Sequence, residues 1–168
     1  MFLTLSGSGM DLRHIDRVTT PPDISHTGGP LGPPVKFATW RDPLNRFELG
    51  YPQAWRLEAE DGVAVHSNRL ASFARVDVFP RPELSWADFQ AALAGRGALT
   101  IRKELPGTPR RLLGILESDG KRFNFEARAF TRGTETIVLS TGSDAVAGPN
   151  KHYETQVLRA IQRVFRIL

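Results

Sequence analysis

The sequence predicts an α+β domain in which one central antiparallel sheet is flanked by helices. Three observations carry this. From Lys36 to Thr141 short apolar runs with a two-residue period follow one another, each bounded by Gly, Pro, Asn or Asp, which is the pattern of half-buried strands joined by turns. Two segments alone, one after Ser85 and one after Asn150, place apolar residues at helical spacing. The chain has 168 residues, 40% of them hydrophobic, which suffices for one domain with a full apolar core and no covalent staple.

Residues 1–34 contain five prolines and five glycines and no hydrophobic period. A flexible arm is expected there, because such a segment buries too little apolar surface to offset its ordering entropy. Within it, DLRHIDRV at 11–18 has the composition of a short helix formed on a partner. The folded unit is then 35–168.

In that unit Phe37 to Trp40 is the first strand, stopped by the turn formers Asp42, Pro43 and Asn45. Phe47, Leu49 and Tyr51 alternate along the second, which Pro52 ends. Trp55 to Ala59 and Val63 to His66 form a hairpin around Glu60, Asp61 and Gly62. Ala71 to Phe79 alternates Ala74, Val76 and Val78 against Phe73, Arg75, Asp77 and Phe79. Ser85 with Asp88 three residues on resembles a capping box; the helix it opens places Trp86, Phe89, Ala92 and Leu93 on one face and stops at Gly95 and Gly97. Strands at Ala98 to Glu104, Arg111 to Ser118, Lys121 to Thr131 and Glu135 to Thr141 follow. Asp119-Gly120 is the strongest hairpin signal in the chain, since both residues tolerate the positive φ that a two-residue turn demands. The last helix, capped by Asn150, carries Tyr153, Val157, Ile161, Val164 and Phe165 toward the sheet. Glu154, Arg159, Gln162, Arg163 and Arg166 lie opposite, toward water.

The formal charge is +4, and only four of the 22 basic residues are lysine. Such a charge speaks to solubility and association with anions and not to fold. The opening MFLTL is too short and too poor in basic residues for a secretory signal. No apolar run reaches the roughly 18 residues of a membrane span, so a cytoplasmic protein is expected. The absence of cysteine excludes a disulfide scaffold, a thiolate metal site and a cysteine nucleophile.

The segment FELGYPQAW, 47–55, runs an alternating strand into Tyr-Pro and then a tryptophan. With the aromatic strand carrying Phe123 and Phe125 and the closing helix from Tyr153 to Phe165, it resembles the PsbP-like fold. That fold is shared by a photosystem II extrinsic subunit, a Ran-binding nuclear import factor and bacterial relatives of unclear role. The resemblance covers about 36–168 and implies an α/β/α sandwich acting as a binding or assembly module, with no cofactor. No plastid leader like that of the plant subunit is legible, so no photosynthetic role is expected.

No catalytic constellation is legible. A Gly-x-Ser-x-Gly elbow is missing, and His66 and Ser67, adjacent on a strand, point to opposite faces. His14, His26, His66 and His152 have no metal-ligand spacing. Gly95-Arg96-Gly97 lacks the third glycine of a dinucleotide loop and follows a helix where it should precede one. The expectation is a noncatalytic protein-interaction module that presents Arg159, Arg163 and Arg166, together with Trp55 beside Arg56 or Arg69, and the arm to a protein partner. The alternative is a nucleic-acid binder using Lys121, Arg122, Arg128 and Arg132, with Phe123, Phe125 and Phe130 interleaved as a stacking surface; a small hydrolase ranks behind both. Alternation places Phe123 and Phe125 with Ala127 and Ala129 in the core, which favours the first reading.

Overall fold

A computed structural model describes residues 15–19, 35–67, 72–146 and 151–168, with side-chain surroundings from 35 onward except at 151–152. The elements are β1 (Ile15–Thr19), β2 (Phe37–Arg41), β3 (Phe47–Pro52), β4 (Arg56–Glu58), β5 (Val63–His66), β6 (Ser72–Phe79), α1 (Trp86–Leu93), β7 (Ala98–Leu105), β8 (Arg110–Ser118), β9 (Lys121–Arg132), β10 (Glu135–Asp144), α2 (Lys151–Val164) and β11 (Arg166–Ile167). Every strand expected from alternation is present, and the α+β class holds.

The expected single central sheet is instead two. One has the order β1-β2-β3-β11 and the other β4-β5-β6-β10-β9-β8-β7, and all their pairings are antiparallel. The division falls after Pro52, whose missing N–H cannot continue a ladder; a turn closed by the Trp55 amide on the Pro52 carbonyl (2.9 Å) sends the chain into the larger sheet. Within the arm, Ile15–Thr19 pairs with β2, so the helix expected over 11–18 is replaced at these residues by a strand; 1–14 and 20–34 lie outside the described residues.

Alternation sorts the larger sheet into two cores. On one face Ala74, Val76, Ile137 and Leu139 meet Phe37, Leu49 and Tyr51 of the smaller sheet and Val157 and Ile161 of α2. On the other, Phe123, Phe125, Ala127, Leu112 and Val138 pack against Trp86, Phe89 and Leu93 of α1. Burial of rings on this scale is the main stabilising term, each large side chain contributing about 1.5–3 kcal/mol.

Local chemistry matches the sequence at the turns and caps. Asp119 and Gly120 have φ of 51° and 76°, the mirror-image turn whose twist suits a hairpin. Ser85 Oγ accepts the Asp88 amide at 3.0 Å, while the Asp88 carboxylate takes Arg81 Nη1 at 2.9 Å. α2 ends at Val164, so Phe165 and Arg166 are not helical; β11 pairs with β3. The expected cap Asn150 lies outside the described residues.

Candidate partner-binding groove

The face of the larger sheet that carries the first core is covered by α2 and the smaller sheet over β4, β5, β6 and β10 and at Phe130 of β9. Past α2 it continues across β9, β8 and β7, where beyond Phe130 no described residue covers it. The register aligns Thr141 with Glu126, Glu126 with Leu113, and Asn124 with Ile115, so these side chains share that face. The result is a groove of about 830 Å³, floored by the strands and walled on one side by Leu158, Arg159, Gln162 and Arg163 of α2.

Five arginines and one glutamate line it: Arg102, Arg111, Arg128, Arg159, Arg163 and Glu126. Glu126 accepts from Arg111 Nε at 3.0 Å and from Arg128 Nε at 2.8 Å. Burial by itself pushes the Glu126 carboxyl up, but these hydrogen bonds more than offset it and hold the group below its ordinary value. Arg128 Nη2 also donates to Gln162 Oε1 at 3.2 Å, and Gln162 Nε2 donates to Thr141 at 3.0 Å. The chain Arg111, Glu126, Arg128, Gln162, Thr141 thus ties α2 to the sheet and leaves Gln162 half-buried, where the sequence placed it in water. Arg102, Arg159 and Arg163 are exposed, and no hydrogen bond or ion pair occupies them among the described residues. Leu113 and Ile115 add a half-buried apolar floor.

Two surfaces that the sequence offered as rivals therefore converge. Arg159 and Arg163 from α2 and Arg128 from β9 line one groove. Arg166 does not join them: both it and Arg41 bind the buried Glu48 carboxylate, fastening β11 and β2 to β3. Burial alone raises the Glu48 carboxyl, and the hydrogen bonds from Arg166 and Arg41 bring it below its usual range. Trp55 is half-buried against the first core, and Arg56 lies 3.7 Å from Glu58; neither lines the groove, and Arg69 lies outside the described residues. Lys121 and Arg132 stand at opposite ends of β9, about 36 Å apart at 3.3 Å per residue. Arg132 Nε donates to the Leu168 carbonyl at 2.9 Å. Arg122 is exposed at the first of those ends. Phe123 and Phe125 are buried beneath α1, as alternation predicts, and Phe130 packs on Phe165, so the alternative's stacking surface faces the core.

Arg102 and Arg111 were not singled out from sequence. Alternation carried a faint signal for Arg111, which shares its face with Leu113. Arg102 carried none, because a bulge between Ile101 and Lys103 drops it from the register and re-aims its side chain.

The groove offers charge and shape, and among the described residues that line it there is no His or Cys. His66 lies 3.7 Å from Glu58, outside the groove, with its imidazole pushed by burial below its ordinary pKa. Ser67 Oγ accepts the Ser72 amide at 3.1 Å. Among the described residues no cluster of three His, Asp or Glu is placed to hold a metal, and no helix is long and apolar enough to cross a membrane. A second cleft of about 440 Å³ lies beside Trp40; of its three acids, Asp42, Asp61 and Asp77, the first and last are already held by Arg46 and Arg75.

No known family's profile matches the sequence, and no curated protein does. Among solved structures the chain is similar to a crystal structure from Bacteroides thetaiotaomicron VPI-5482, at 11% identity and a TM-score of 0.45 over 77% of this chain. It spans 48% of that chain, about half its length.

Proposed function

We propose that this protein is a noncatalytic interaction module and that the arginine-lined groove between α2 and β7–β9 is its docking face for an anionic partner protein. The observation that carries the reading is the groove's charge: of its five arginines, three have no partner within the described residues. A guanidinium is weakly hydrated and presents planar, forked donors suited to carboxylates. A PsbP-like α/β/α arrangement belongs to the same proposal. Its support is the order of elements: β3 running through Tyr51-Pro52 to Trp55, the β8–β10 meander, and α2 after it.

The nucleic-acid reading has less support. Phe123 and Phe125 are buried and Phe130 half-buried against Phe165, and its four basic residues are dispersed along β9, with Arg128 paired to Glu126 and Arg132 to the Leu168 carbonyl. A hydrolase would need polar groups converging on a reacting atom, which neither His66 nor Ser67 supplies.

The test is affinity capture from the source cells with the full chain and with the Arg159→Glu/Arg163→Glu variant, read by mass spectrometry. A partner retained by the first and lost from the second, with elution at raised salt, is the expected outcome. An identical set of captured proteins from both would reject the groove as the docking face.

A further inference from the structure

We infer that the groove takes an acidic amphipathic helix of the partner, laid on the sheet beside α2; this rests on the groove being the docking face. Size comes first. From β10 to β7 the floor crosses three strand spacings, about 14 Å, and the α2 wall from Thr155 to Arg163 rises about 12 Å. Two turns of helix are about 11 Å long and 10 Å across, dimensions that the strands and the α2 wall accommodate. Neighbouring helices pack with axes about 8–10 Å apart, so the uncovered strands have room for one helix next to α2.

The chemistry is two-sided. Arg159 and Arg163, one turn apart on α2, form a basic rail on one wall, and Arg102 contributes a charge from β7. Between them Leu113 and Ile115 form a small apolar patch in the floor, beside Asn124 and the Arg111, Glu126 and Arg128 cluster. A ligand with apolar residues on one stripe and carboxylates on its flanks satisfies both. Phosphodiester chains match the rails but leave the Leu113 and Ile115 patch uncovered, and among the described residues no ring is exposed in the groove for bases to stack on. An added strand is disfavoured as well, because the bulge between Ile101 and Lys103 interrupts the β7 edge on which it would pair.

A displayed library of random 16-residue peptides, panned on the full chain, tests this. Selected peptides are synthesised and followed by fluorescence anisotropy and circular dichroism, with Arg159→Glu/Arg163→Glu as the groove variant and Lys36→Glu as the control. Thermal melts confirm that both variants fold. The expected binders are rich in Asp and Glu, carry Leu, Ile or Phe at i, i+3 or i+4, and i+7, gain helicity on binding, and bind the groove variant about tenfold more weakly and the control unchanged. Binders that depend on the two arginines but are extended, or whose apolar residues alternate, overturn the helix and leave the docking face standing. Binders indifferent to the two arginines, or no binders, overturn both. A single-stranded 20-mer oligonucleotide that displaces the peptides at equal concentration also overturns the inference.

Discussion

Replacing Glu126 by Gln removes one charge from the groove and almost none of its volume. The carboxylate holds Arg111 of β8 and Arg128 of its own strand through hydrogen bonds of 3.0 and 2.8 Å, and Arg128 in turn reaches Gln162 of α2. A hydrogen bond to a charged group contributes about 1.5–3 kcal/mol net, and a neutral acceptor about half that. Glutamine keeps an acceptor, and solvent screens the arginines, whose side chains are 39% and 26% exposed. The expected loss at pH 7 is therefore about 1–3 kcal/mol. Its pH dependence follows from the sign of the shift. The Glu126 carboxyl lies lower in the folded chain than in the unfolded one, so its stabilisation is full above the unfolded value and lost as pH falls through the folded one. Urea unfolding of both proteins, at pH 7 and again below the ordinary carboxylate range, should show a gap that closes on acidification. Acidic peptides should bind the variant more tightly, by up to about fivefold, since the lining is then purely cationic. Equal stability at pH 7, or a gap that persists in acid, would refute Glu126 as a clamp.

Arg166→Ala should lower stability by about 1 kcal/mol, because Glu48 keeps only Arg41, and should leave peptide affinity unchanged; a loss of affinity in anisotropy titrations would restore Arg166 to the docking face. Gly114→Ala should cost about 1–3 kcal/mol in a thermal or urea melt, since a Cβ there would run into the Thr100 carbonyl oxygen on β7; wild-type stability would mean that β7 and β8 are not so closely apposed. Ser85→Ala should cost about 1 kcal/mol by orphaning the Asp88 amide at the start of α1, and a melt unchanged by the substitution would count against the cap.

The strands, both helices and the cap at Ser85 were legible because each is set by neighbours within a few residues: alternation, turn formers, helical spacing. Half of the groove was legible too. Arg159 and Arg163 are exposed on α2 as the helical period requires, and Arg128 faces away from Phe125 and Ala127 as a strand requires. Arg166 was misplaced since α2 stops at Val164, and the short pairing of β11 with β3, across 118 residues from Arg166 to Glu48, takes over that segment.

By itself the sequence determined the α+β class and the division of rings into core and charges into surface, both of which follow from residue type and local period. Only the tertiary structure decided that there are two sheets and that α2 covers just part of one. It also decided that arginines from three strands and a helix enclose one groove, with Glu126 shared between two of them. Those outcomes depend on register and on a bulge at Ile101/Lys103, which are fixed by contacts between residues far apart in the chain and leave no periodic trace along it.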